Sequence, residues 1–434
     1  MKFSTPTESH VRVDLNLNIR NLKKSATLEI NEKSRQLQQE GKRVFRLGFG
    51  QSPFPVPAPV VKALQAHAHE KDYLPVQGLQ PLREAIAGFY QRRHGLERQA
   101  DDILIGPGSK ELLFLLQLVY YGNLVIPSPS WVSYSPQATI IGRPVHWLDT
   151  SRDFDFRLTP EDLEALCKKD PEQPRIVILN YPSNPTGSTY RVERLKELAE
   201  VARKYRVILL SDEIYGELHH RGEHVSIAKF YPEGTIISTG LSKWCGAGGW
   251  RLGAFLFPKS LHWLLDAMAV VASETYTSTS APIQYAAVAA FQENQEIDDY
   301  LQKAQRILGA IGNTMHRQLQ DINVSAPIPQ GGFYLFPDFE HYRQNLAKRG
   351  IKTSVELCER LLEETGIALL PSSDFGRPLE ELTARLSYVD FDGQKSLDLA
   401  SIYQNGTPLG SAYVQQAAPR MLEAMEVLGE WLQK

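Results

Sequence analysis

GLSKWCGAGGWRLG, residues 240–253, sets one lysine, Lys243, among glycines and small side chains and follows it eight positions later with Arg251. A long flexible cation in surroundings without bulk is a poor packing element, so the stretch reads as a place kept open for something else. The run just before it, TIIST at 235–239, is rich in β-branched residues and reads as a strand. Lys243 therefore falls on the loop leaving a strand's carboxyl end, where open α/β sheets place their ligand sites.

Further runs of the same kind lie upstream: ILI (103–105), NLVI (123–126), RIVILN (175–180) and RVILLS (206–211). They alternate with helical patterns, the signature of parallel βαβ units. Thr159-Pro160-Glu161-Asp162 is a readable helix start, a capping threonine followed by proline at the first helical position. After about residue 320 the texture changes to IPQGGFYLF, then SVELCERLLEETG, then ARLSYVDF. The pattern predicts an α/β protein: a large doubly wound domain with a mostly parallel sheet over 61–320, and a smaller α+β domain formed by both chain ends. The ends are an N-terminal arm and small-domain segment at 1–60 and a C-terminal part at 321–434.

Composition narrows the function classes. The 434 residues are 42% hydrophobic and 22% charged with a net charge of -3, ordinary globular material with no basic excess for nucleic acid. The greasiest segment, LLFLLQLVYY, is broken by Gln117 and too short to cross a bilayer, so a soluble, cytoplasmic protein is expected. Cys167, Cys245 and Cys358 lie far apart without ligand spacing, and the paired histidines His67/His69 and His219/His220 lack accompanying ligands, so no metal site is expected.

The chemistry concentrates at strand ends. RIVILN runs into YPSNPTG, RVILLS into Asp212 and Tyr215, and TIIST into Lys243. ILI runs into Gly106-Pro107-Gly108-Ser109-Lys110, where the free N–H groups of a helix start favour a phosphate. A phosphate cradle, an amide, a carboxylate and a lysine fit pyridoxal phosphate better than any nucleotide. That cofactor needs an anchor for its phosphate, an amine for its aldehyde and an acid beside its ring nitrogen.

These segments, with Tyr73 before Gly78-Leu79, PSW (129–131), SNPTG (183–187), SDEIYGEL (211–218), QGGFYLF (330–336) and ARLSY (384–388), resemble the class I/II aminotransferase family of pyridoxal-phosphate enzymes. The resemblance runs from about Ser25 to the C-terminus. It implies a homodimer that transfers an amino group between an L-amino acid and a 2-oxo acid by a ping-pong route through a Lys243 aldimine. A C–S β-elimination lyase of the same fold is the alternative it leaves open. The resemblance further implies that Asp212 pairs with the ring nitrogen, that Asn184 and Tyr215 donate to the ring oxygen, and that Trp131 stacks on the ring and lines the substrate side. The phosphate is implied to rest on Ser109, Lys110, Arg251 and Tyr73 of a second subunit. Arg385, helped by Gly50 and Asn184, would clamp the substrate's α-carboxylate. Cis peptides are implied at Ser128-Pro129 and Asn184-Pro185.

Two departures stand out. Relatives carry a phosphate-binding serine where this chain has Gly240, so that contact must come from Ser238, Ser242 or water, or be missing. Residues 394–414 look inserted before the last helix. Side-chain selectivity is expected from Gln51-Ser52-Pro53-Phe54 and from the neighbourhood of Trp131 to Tyr134, where no second arginine is reserved for a dicarboxylate.

Overall fold

Seven strands form one sheet in the computed structural model, which describes residues 15–20, 22, 26–404 and 406–434. They are β1 (Ile103–Gly106), β2 (Asn123–Ser128), β3 (Val145–Asp149), β4 (Arg175–Asn180), β5 (Ile208–Asp212), β6 (Thr235–Gly240) and β7 (Gly253–Leu256). Their order is β1-β7-β6-β5-β4-β2-β3. Strands β2 to β6 pair in parallel, while β7 lies antiparallel between β1 and β6. The first 14 residues of the N-terminal arm lie outside the described residues.

The apolar runs are continuous because the central strands are covered on both faces. Ile176, Ile178, Leu210 and Ile236 share one cluster with the helices Ser109–Val119 and His262–Thr275. Val177, Leu179 and Leu209 face the other way, onto the helices Pro160–Lys169 and Val192–Lys204. Thr159 caps the first of these as its sequence implies, its hydroxyl accepting from the Asp162 amide at 3.1 Å.

A second, three-stranded antiparallel sheet has the order β8-β10-β9, with β8 at Tyr334–Leu335, β9 at Leu370–Pro371 and β10 at Ala384–Ser387. The chain's early residues dock on it. Phe45 bridges Ile367 in parallel, and the Ser387 amide donates to the Leu47 carbonyl at 2.7 Å. The helix Ser354–Thr365 starts with a reciprocal cap between Thr353 and Glu356 and stops at Gly366, whose φ is 76°.

The stretch 394–414 is not one long loop. It contains the helix Gly393–Ala400 and the start of Ser411–Ala417, both packed on the long helix Gln295–Asp321. One expected bend is displaced: the cis peptides are Ser128-Pro129 and Tyr181-Pro182. The one at Ser128 was expected; Asn184-Pro185 is not cis, and the second cis bond lies three residues earlier.

Two registers position the site. Asn180 pairs with Asp212 and Asp212 with Ser238, one row across β4, β5 and β6. Gly106 pairs with Gly253 and Gly253 with Gly240, a second row across β1, β7 and β6. At the middle of this glycine row there is no room for a side chain, since a Cβ on Gly253 would stand 2.2 Å from the Ser109 amide nitrogen. Gly253→Ala should therefore destabilise the fold by about 1–3 kcal/mol, the usual range for overpacking. Urea unfolding would measure this, and a midpoint equal to the parent's would show that the row tolerates a methyl group.

Candidate active site

A cavity of about 560 Å³ opens at the carboxyl ends of β4, β5 and β6. Gly50, Ser109, Lys110, Trp131, Asn184, Asp212, Tyr215, Ser242, Lys243 and Arg251 all line it, so ten of the residues singled out in the sequence meet at one place. Two do not reach its wall. Arg385 lies behind Asn184 and is 1% exposed, while Tyr73 stands on the surface at 89% exposure.

Lys243 reaches the cavity from the tight loop after β6 and donates to the Gly50 carbonyl at 2.6 Å. Its ammonium also lies 5.6 Å from the Tyr215 ring centre. Burial pushes its pKa down to about 8, helped by the positive charge of Arg385 and opposed by Asp212. An amine so placed is a nucleophile at ordinary pH. Cys245, two residues on, is buried in the core, and burial pushes its thiol up, so it stays protonated and inert.

Asp212 ends β5 and is 4% exposed. Its Oδ2 accepts from the Tyr134 hydroxyl at 2.5 Å, and its Oδ1 from Ser238 Oγ at 3.3 Å and the Ile214 amide at 3.4 Å. Burial raises its pKa, and these donors oppose the rise. It makes no ion pair with any described residue, so a buried acid faces the cavity without a cation bound to it. The row described above continues the support: Asn180 Nδ2 donates to the Asp212 carbonyl at 2.9 Å, and Asn180 Oδ1 accepts from the Asn184 amide at 2.7 Å. Tyr215 is bonded through its hydroxyl to that of Tyr334 at 2.7 Å.

An anion cradle sits at the other end of the cavity. The helix Ser109–Val119 starts after Gly108, whose φ is 90°, and its first two residues line the cavity together with Arg251. Arg251 itself has a φ of 56°, an uncommon conformation for a side-chain-bearing residue, and its guanidinium donates to the Gly248 carbonyl at 2.9 Å and the Pro107 carbonyl at 3.3 Å. A Cβ on Gly108 would stand 2.2 Å from that guanidinium, so the cradle exists because position 108 has no side chain. Free helix amides beside a planar cation suit a phosphate group. Gly240 explains the absent serine: a Cβ there would meet the Leu252 carbonyl at 2.7 Å. Ser238 donates to Asp212, and Ser242 lines the cavity together with Ser109.

Arg385 donates to Asn184 Oδ1 at 3.1 Å and to the Gly48 carbonyl at 2.7 Å, and its Nε has no partner. No ion pair joins it to a described residue. Burial lowers its pKa, and Tyr334, Tyr215 and Asp374 oppose this; a buried guanidinium with an unpartnered Nε fits a carboxylate that arrives from outside.

Sequence reasoning missed Asn180 altogether, and the contacts that Tyr134, Ser238 and the Lys110 side chain make. Tyr134 and Ser238 hold Asp212, Asn180 joins it to Asn184, and Lys110 adds its side chain as well as its amide, the Nζ lying 5.1 Å from the Trp131 ring centre. The signal for Asn180 and Ser238 was their place at strand ends level with Asp212. Phe54 corrects an expectation: it is buried between Tyr300 and Phe391 and does not line the cavity, whereas Gln51 does. Apolar burial won over exposure at that position.

Comparison with known proteins agrees with this geometry. The family model for class I and II aminotransferases matches residues 42–390. An aspartate aminotransferase of Geobacillus stearothermophilus is 36% identical over 384 residues, 85% of this chain and 93% of that enzyme. An asparagine–oxo-acid transaminase of Streptococcus mutans is 30% identical over 381 residues, 85% of this chain and 92% of that one. The solved structure of aspartate aminotransferase from Thermus thermophilus with maleate is similar with a TM-score of 0.82 at 27% identity, covering 96% of this chain and 100% of the other.

The state of Lys243 gives a measurable pH dependence. Its amine should condense with a small aldehyde, trapped by borohydride and located by peptide mapping, at a rate that rises through about pH 8 as the proton leaves. A rise only near 10.5, the value for an ordinary lysine, would mean that burial does not act on it.

Proposed function

The chain belongs to the family of class I and II aminotransferases and is an aminotransferase, and from that premise we propose that it works with pyridoxal 5′-phosphate on an acidic amino donor such as aspartate. The observation that carries the cofactor reading is the cavity's pairing of Lys243, a buried amine, with Asp212, a buried acid that has no bound cation, beside an anion cradle. No described helix is long and apolar enough to cross a membrane, in keeping with a cytoplasmic site of action. We assign residues 61–320 to a cofactor-binding domain and the two chain ends to a smaller one.

When bound, the cofactor supplies an aldehyde that exchanges amines and a ring that accepts electron density from the substrate's Cα. The protein's part is to hold and to move protons. Lys243 Nζ would hold the cofactor's aldehyde and, as a free amine, would move a proton at the substrate's Cα. Asp212 would keep the ring nitrogen protonated, and Asn184 and Tyr215 would donate to the ring oxygen. Trp131 would cover one ring face. The backbone amides of Ser109 and Lys110 and the guanidinium of Arg251 would bind the phosphate, joined by Ser242 and by Tyr73 from a second copy of the chain, whose exposure on its own chain suits that role. Arg385, with Asn184 and Gly50, would take the α-carboxylate.

Lys110 favours an acidic donor. Its ammonium is in the cavity wall next to Trp131, and burial together with Arg251 lowers its pKa, so a second carboxylate is the partner that would relieve it. This answers the missing second arginine with a lysine, in keeping with the aspartate named for the relatives.

Without any oxo acid, loaded enzyme mixed with aspartate should release about one equivalent of oxaloacetate per chain and stop, and 2-oxoglutarate should restart it. Lys110→Ala should raise KM for aspartate about tenfold or more, the worth of one charge-assisted hydrogen bond, and leave KM for alanine nearly unchanged. Steady-state kinetics with both donors decides this; equal losses for the two would remove Lys110 from side-chain recognition.

A further inference from the structure

One hydroxyl in the cavity wall does more than hold Asp212 in place. Tyr134 opens the helix Tyr134–Ile140, is fully buried, and donates to Asp212 Oδ2 at 2.5 Å. Its ring meets that of Trp131 edge to face, with centroids 5.2 Å apart at 83°. The hydroxyl therefore cannot swing away from the acid without disturbing the residue assigned to the ring face.

The contact matters because of what Asp212 must do. A carboxylate beside a pyridine nitrogen shares one proton with it, and two arrangements are open: anion with protonated ring, or neutral acid with neutral ring. Burial favours the neutral pair, since both charges lose water. Every hydrogen bond donated to the carboxylate favours the charged pair, because it stabilises the anion and is weakened when the acid takes the proton. Oδ1 receives two donors at 3.3 and 3.4 Å, both long. Oδ2 receives one at 2.5 Å, the shortest of the three. Burial pushes the Tyr134 phenol far above its usual pKa, so it remains a donor and does not itself ionise.

We infer that Tyr134 is a positioning residue: its hydroxyl on Asp212 Oδ2 keeps the shared proton on the ring nitrogen, and so maintains the ring's capacity to accept electrons. The inference rests on the pyridoxal-phosphate reading above. Only a protonated ring draws charge strongly from the substrate's Cα, so the loss of this one hydroxyl weakens the site although no atom of Tyr134 need touch the reacting bond.

The test uses the whole protein loaded with pyridoxal 5′-phosphate labelled with ¹⁵N at the ring position. In the parent the ¹⁵N resonance should lie where a protonated pyridinium resonates. In Tyr134→Phe it should move toward the neutral pyridine position, and the single-turnover reaction with aspartate should slow about 10- to 100-fold, the equivalent of one hydrogen bond to a charged group. KM should change little. A merely structural Tyr134 would lower cofactor occupancy or thermal stability and leave the resonance in place; a folded, loaded variant with an unmoved resonance overturns the inference. Should Tyr134→Phe fail to fold, 4-aminophenylalanine at position 134, nearly the same shape with a weaker donor, should move the resonance the same way by a smaller amount, and no movement there overturns it equally. If the parent protein takes up no labelled cofactor, the pyridoxal-phosphate reading itself has failed, a result distinct from either.

Discussion

The site depends on three backbones coming closer together than side chains allow. Gly106, Gly253 and Gly240 stand level across β1, β7 and β6, and a Cβ at the first would meet Leu112 Cγ at 2.6 Å, at the second the Ser109 amide, at the third the Leu252 carbonyl. This row lets the start of the helix Ser109–Val119, the Lys243 loop and Arg251 face one small volume. It also explains why small residues surround Lys243: bulk there would separate the anion cradle from the amine that must work beside it.

Electrostatics builds on that closeness. Arg385, Arg251 and Lys110 all act on Lys243, while Asp212 is the one carboxylate in the cavity wall, so positive charge exceeds negative charge there. Such an excess is costly in a chain by itself, and the lowered values of Lys110 and Lys243 express it. The sign for stability follows. A lysine whose folded value, about 8, lies below its ordinary 10.5 burdens the fold fully below pH 8, and that burden fades as the pH rises from 8 to 10.5. A phosphate dianion and two carboxylates would balance the excess, which is why the proposed cofactor and acidic donor suit the same cavity.

Much of this was legible in the sequence because the chemistry sits at strand ends. β-branched runs located β1, β2, β4, β5 and β6, and the residues after them supplied Lys243, Asp212, Asn184 and the Ser109 cradle. What stayed hidden depends on which strands become neighbours. GAFL at 253–256 is too short and too small-sided to be read as a strand, and its antiparallel insertion between β1 and β6 is a tertiary choice. The Tyr134–Asp212 contact spans 78 positions and has no periodic signal. Arg385 was identified by its motif, yet its seat behind Asn184 could not be read. Phe54 shows the opposite error: proximity in sequence to Gln51 suggested the cavity, and apolar burial took the ring into the core.

The central claim is that Lys243, and not the second amine of the same cavity, holds the cofactor, with Asp212 and the Ser109–Arg251 cradle at its two ends. A crystal structure of the protein grown with pyridoxal 5′-phosphate tests it most directly. The account predicts continuous density from Lys243 Nζ to the cofactor, its ring nitrogen against Asp212 and its phosphate against the Ser109 and Lys110 amides and Arg251. Density joined to Lys110, or a cofactor whose phosphate lies away from that helix start, would contradict it.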